Sequence, residues 1–231
     1  MLLALLPLAA PACGRTDRHG VAYEGRRAQL KRIAIIPASV EVKTMHADES
    51  LERRPDLIAQ VLDRSLDYLA AELRTRGAEP VPLKGPILPP AGHGVPEPSL
   101  AKLHAVKHDI LEKHYVQGDA RVFNYSLGDL CVPTAAAHNA DAILWFFITG
   151  DVPTEGRKAV KAATITGGVL TTTPMYAHAD RAVLLLLLAD GESGDVLWFN
   201  RYPGTEDIAE PDDLHDLIHD ACRNLLLPAT D

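Results

Sequence analysis

The run Val183 to Leu188 is apolar at every position. It is followed within two residues by the polar turn Asp190-Gly191-Glu192-Ser193-Gly194-Asp195 and then by a second apolar run, Val196 to Phe199. Two strand-length runs joined by a Gly/Asp/Ser cluster specify a β-hairpin. A strand with no polar alternation has no face that water can wet, so the first run belongs inside a sheet covered on both sides. The turn itself carries no nucleophile motif, because G-x-S-x-G would need glycine where Asp195 stands.

The rest of the chain supplies partners for that hairpin. Ile33 to Ile36, opened by Lys31-Arg32 and closed by Pro37, reads as another central strand, with a polar loop from Ala38 to Arg54. Pro55 suits the first turn of a helix, and Leu57, Ile58, Val61, Leu62, Leu66, Leu69 and Leu73 recur at helical spacing up to Gly77, a C′ glycine. Ala78 to Leu83 is a short strand that Pro80 and Pro82 confine to an edge. Residues 84–98 form a Pro-rich loop, after which Ser99 starts a helix through Tyr115. Ser126 caps a further helix that Pro133 should distort or split. Ala142 to Ile148 is a strand, and residues 150–180 read as an insertion. Pro211 opens a last helix with the stripe Leu214, Leu217, Ile218, Ala221, Cys222, Leu225 and Leu226. The expected fold is α/β (α+β): a mixed sheet of about five strands with helices packed on it, in the order β-α-β-α-β-(insertion)-β-hairpin-α.

At 231 residues the chain suits one substantial domain, here expected over residues 31–231. A net charge of -8 argues against nucleic acid as a partner, since phosphate binding needs clustered Lys and Arg. Residues 1–12 are uncharged and too short to span a bilayer, and they match the apolar core of a secretory signal. Ala12-Cys13 is similar to a bacterial lipobox, in which the cysteine is acylated. Cys13 is therefore the expected lipidation site and membrane anchor, followed by a flexible tether over residues 13–30. Export leaves two readings for Cys131 and Cys222: a disulfide in an oxidising compartment, or two small hydrophobes on apolar helix faces.

Four segments also resemble bacterial envelope lipoproteins that share the fold of the curli secretion channel periplasmic domain and the TolB amino-terminal domain. Lys31 to Pro37 resembles their opening strand, and Leu57 to Gly77 their first helix. Asn139 to Leu144 is similar to their third strand, and Asp190 to Trp198 to their hairpin. The resemblance implies a non-enzymatic periplasmic module that binds envelope proteins, on the outer membrane by preference and sometimes as a homo-oligomer. It carries over no catalytic residue.

Chemistry is sparse. The chain holds neither a G-x-x-x-x-G-K-S/T nor a G-x-G-x-x-G phosphate loop. His104 with His108, and His215 with His219, have the i, i+4 spacing that puts two rings on one helix face. Neither pair is H-E-x-x-H, and solvated helix faces explain both more simply, so no metal or cofactor is assigned. Asp141 and Asp190 read as caps of turns beside strands. The leading expectation is a lipid-anchored, protein-binding accessory module of the cell envelope. One alternative is a metal-dependent hydrolase or metal-binding protein that uses the histidine pairs. The other is a homo-oligomeric secretion pore component, with residues 159–173 entering the membrane.

Overall fold

A computed structural model describes residues 16–46, 48, 50–83, 98–117, 122–154, 156, 182–225 and 227. The proposed signal peptide, Cys13, residues 84–97 of the Pro-rich loop and nearly all of the insertion beyond residue 154 lie outside them. In chain order the elements are β1 (Thr16–His19), α1 (Tyr23–Arg26) with a 3-10 turn (Arg27–Gln29), β2 (Arg32–Met45), β3 (Leu51–Arg53), α2 (Pro55–Thr75) and β4 (Glu79–Pro82). There follow α3 (Pro98–Ile110) with a π-helical turn (Leu111–Val116), α4 (Gly128–His138), β5 (Ala142–Pro153), β6 (Ala182–Asp190), β7 (Val196–Gly204) and α5 (Pro211–Cys222).

The strands form one mixed sheet in the order β1-β7-β6-β5-β2-β3, with β4 also paired to β2. β2 runs parallel to β4 and β5, while β5-β6, β6-β7, β7-β1 and β2-β3 are antiparallel. As its composition requires, β6 is central and flanked on both sides. Its alternate residues enter two separate cores. Leu184, Leu186 and Leu188 join Phe146, Trp198 and the apolar stripes of α2 and α5. Leu185, Leu187 and Ala189 join Trp145, Phe199, Leu103 of α3 and Cys131 of α4.

Local chemistry accounts for the element ends. α2 closes in a Schellman motif, in which Ala78 N–H donates to Leu73 O and Gly77 N–H to Arg74 O, with Gly77 at φ 83°. Ser126 is not the N-cap of α4, a place taken by Leu127; it stands one residue earlier, where its Oγ accepts from Gly128 N–H at 3.2 Å. Pro133 sits inside α4 without splitting it. Asn139 ends that helix in the left-handed region, at φ 49° and ψ 48°.

Three expectations need correction. The strand opened at Ile33 does not stop at Pro37 but runs to Met45, and the segment read as a polar loop supplies the end of β2 and all of β3. Pro37 is accommodated because the pairing with β5 shifts register between Pro37 and Ser39, a bulge that absorbs the missing N–H. The tether over residues 13–30 is not one from Thr16 onward. β1 pairs with β7, Tyr23 and Leu30 are fully buried, and burial of two large side chains pins the segment to the domain. Cys131 and Cys222 are free, buried thiols that lie in different cores on opposite faces of the sheet. A sheet separates them, so no rotamer change can bond them. Burial pushes their thiols up to about 11 and about 12 respectively.

Both thiols should therefore stay unreacted with iodoacetamide at pH 8 in native protein and become labelled in urea. Peptide mass spectrometry checks this, and a Cys131–Cys222 bridged peptide would contradict the two-core arrangement.

Candidate functional site

The hairpin turn is a structural junction. Asp190 Oδ1 accepts from the backbone N–H of Glu192 at 2.8 Å and of Ser193 at 2.9 Å, closing the turn on itself. Its Oδ2 accepts from Arg26 Nε, and Arg26 also reaches Glu192 at 3.2 Å. Burial pushes the Asp190 carboxyl up, but the hydrogen bond from Arg26 and those from the turn outweigh it and hold it below the ordinary range. The same hydrogen bond raises Arg26. Next to it, Asp141 Oδ2 accepts from the backbone N–H of Lys31 at 2.9 Å and of Arg32 at 2.8 Å. Gly191 has no room for a side chain, since a Cβ would stand 2.7 Å from Ala140 O and 2.8 Å from Asp141 O. Both aspartates are thus spent on backbone and a guanidinium, as the sequence suggested, and neither is set up for proton transfer.

The histidine pairs meet different fates. His104 turns edge-on to Phe147, with ring centroids 5.9 Å apart, while His108 of the same helix is exposed. Lys107 stands over the same Phe147 ring at 4.6 Å. Burial, aided by Lys107, lowers His104, and an ammonium beside it opposes a bound cation. That pair does not converge on a ligand site. His215 and His219 do come together, stacked at 6.4 Å between centroids and 17° between planes. His219 Nδ1 lies 2.9 Å from Glu72 Oε1 of α2. Among the described residues no three of His, Cys, Asp and Glu are grouped to hold a metal ion.

The edge strand at residues 78–83 is blunted by its prolines. Glu79 N–H donates to Lys31 O and Leu83 N–H to Ile35 O, so odd-numbered residues turn their N–H groups toward β2. Pro80 and Pro82 therefore place their nitrogens on the outer edge, which offers no N–H to an added strand.

A different surface emerges from the cross-strand register. Ser39 of β2 sits beside Phe147, which pairs with Leu185 and then with Arg201; one step on, Glu41, Thr149, Val183 and Pro203 line up; beyond them Lys43 faces Asp151. Partners in a register share a face, here the one that carries α3 and α4. Near Ile143 and Leu187 that face is buried under the two helices, but around Glu41, Lys43, Thr149, Asp151 and Arg201 its side chains are half-buried or exposed. Lys107 sits at the boundary: burial lowers its ammonium and Glu41 opposes that effect. The result is a polar shelf of mixed charge on a rigid sheet, bordered by Phe147 and α3. The alternation Ser39-Val40-Glu41-Val42-Lys43 was the signal for it, hidden by reading residues 38–54 as loop.

These features define a mixed α/β domain that carries a polar shelf of mixed charge on one face of its sheet. No protein-family model matches the chain, and no curated protein matches it. Among solved structures it is similar to the PelC dodecamer from Paraburkholderia phytofirmans. One such structure shares 13% identity at a TM-score of 0.42, covering 93% of this chain and 97% of that one. A substituted form of the same dodecamer shares 12% identity at a TM-score of 0.43, covering 93% and 98%.

The Arg26–Asp190 contact sets an acid limit. A carboxylate held below its unfolded value contributes stability above that value and loses it as the pH falls through the folded one. Asp190→Asn should cost about 2 kcal/mol at neutral pH, discounted for the partly exposed Arg26. In urea titrations the gap to the unsubstituted protein should narrow as the pH drops below about 4.

Proposed function

We propose that this chain is an exported, lipid-anchored accessory module of the bacterial envelope that works by binding other envelope proteins, further copies of itself included. The observation that carries the reading is the polar shelf of Glu41, Lys43, Thr149, Asp151 and Arg201, beside strands β5 and β6 that are buried on both faces over most of their length. A rigid sheet holds such groups in fixed register, as electrostatic recognition of a complementary protein surface requires. Its mixed charge suits a partner that presents both signs. The signal-like residues 1–12, the lipobox-like Ala12-Cys13 and the resemblance to curli-channel and TolB-type domains support the placement on the periplasmic side of a membrane, the outer one by preference.

Two experiments test this reading. Cys13→Ser should move the protein from the membrane fraction to the soluble periplasm, with mass spectrometry of the mature amino terminus showing the lost acyl groups. Retention on membranes would refute the anchor. Affinity capture from envelopes, with sedimentation to register self-association, should recover partners that Lys43→Glu combined with Asp151→Lys loses at least tenfold. Recovery unchanged by that double charge reversal would remove the shelf from the binding surface.

A further inference from the structure

α2 and α5 lie side by side over one core, and two i, i+4 pairs face each other across the seam. Tyr68 meets His215 ring to ring at 5.2 Å and 82°, and Glu72 meets His219 Nδ1 at 2.9 Å. The pairs advance in the same direction, so the two helices run parallel here. Glu72 is nearly buried, at 7% exposure, and its carboxylate also accepts from Arg76. A carboxylate fixed in this way takes the Nδ1–H of His219, which puts the lone pair of the neutral ring on Nε2. A carboxylate behind one ring nitrogen of a histidine, orienting the ring and raising the basicity of the other, is how proteins support imidazole ligands to a metal.

We infer that His215 and His219 form a two-histidine site for a borderline divalent transition-metal ion such as Zn2+ or Cu2+, with Glu72 as the outer carboxylate that positions His219. Imidazole selects such ions, while Ca2+ and Mg2+ require oxygen ligands that the pair does not offer. The side chains of His215 and His219 are 49% and 53% exposed, so an ion reaches both without opening the core. The near-parallel rings close on one ion by rotation of His215 about χ2, a soft torsion, away from its edge contact with Tyr68. Water completes the coordination. Asp216 Oδ1, 3.6 Å from His215 Nδ1, adds negative charge beside the ion, and the Arg76 guanidinium is already matched by Glu72. Both ligands sit on α5, and their support comes from α2, so the ion favours the folded pairing of the two helices. This inference is independent of the polar shelf, which lies on the other face of the sheet.

Calorimetric titration of the full chain with ZnCl2, followed in parallel by the histidine ring signals in NMR, tests the site. Saturable binding that shifts the rings of His215 and His219, and is insensitive to excess MgCl2, is expected. His215→Gln and His219→Gln, both on exposed side chains, should abolish it, and His104→Gln with His108→Gln should leave it intact. Glu72→Gln should weaken it about 10–100-fold. A circular dichroism spectrum separates that loss from unfolding. The inference is overturned if zinc fails to bind, if His215→Gln binds as tightly as the unsubstituted chain, or if zinc shifts other rings and leaves these two unmoved.

Discussion

Everything in this fold follows from the need to cover β6 and β5 on both faces. Between them these strands place Leu184, Leu186, Leu188, Phe146 and Ile148 on one side and Leu185, Leu187, Trp145 and Phe147 on the other. Each fully buried side chain of this size contributes roughly 1.5–3 kcal/mol over its exposed state, so neither side can be left to water. One layer is supplied by α2 and α5, whose apolar stripes are regular and wide. The other comes from α3 and α4, which are irregular by comparison: α3 loosens into a π-helical turn and α4 carries Pro133. Beyond the described residues of that second layer the sheet carries polar side chains at Glu41, Lys43, Thr149 and Asp151.

The edges obey a second constraint, that unpaired strands invite further pairing. On one side β4 answers it with prolines turned outward. At the other, β1 closes over β7, and Phe123 N–H donates to His19 O beyond it. The segment that forms β1 also delivers Arg26 to the hairpin turn, so one short stretch both guards an edge and neutralises the buried Asp190. The shelf and the histidine pair both lie away from these two backbone edges.

Much of this was legible in the residues. The hairpin, the central strands at Ile33 and Ala142, the stripes of α2 and α5 and the glycine stop at Gly77 all follow from periodicity and turn chemistry acting over a few neighbours. The misreadings share a physical cause. Pro37 looks like a strand end because it lacks an N–H, yet a bulge at that point lets β2 continue. Residues 16–30 look like a tether because they are polar and lack periodicity, yet Tyr23 and Leu30 find buried places that no local pattern announces. Cys131 and Cys222 look like potential partners because an exported chain meets an oxidising compartment; which face of the sheet each helix covers is a property of the crossovers.

By itself the sequence determined the class of fold, since continuous apolar strands and amphipathic helices admit few arrangements that leave no apolar face wet. It also determined that Asp141 and Asp190 would be consumed in capping, because a carboxylate beside a turn finds backbone N–H groups within reach. Only the tertiary structure decided which half of the sheet stays polar and open, and which of two identically spaced histidine pairs acquires a carboxylate behind it. Both depend on side chains more than a hundred residues apart in the chain, Glu41 beside Thr149 and Glu72 beside His219. Such pairs are set by how strands register and helices pack, and no local stretch of residues encodes them.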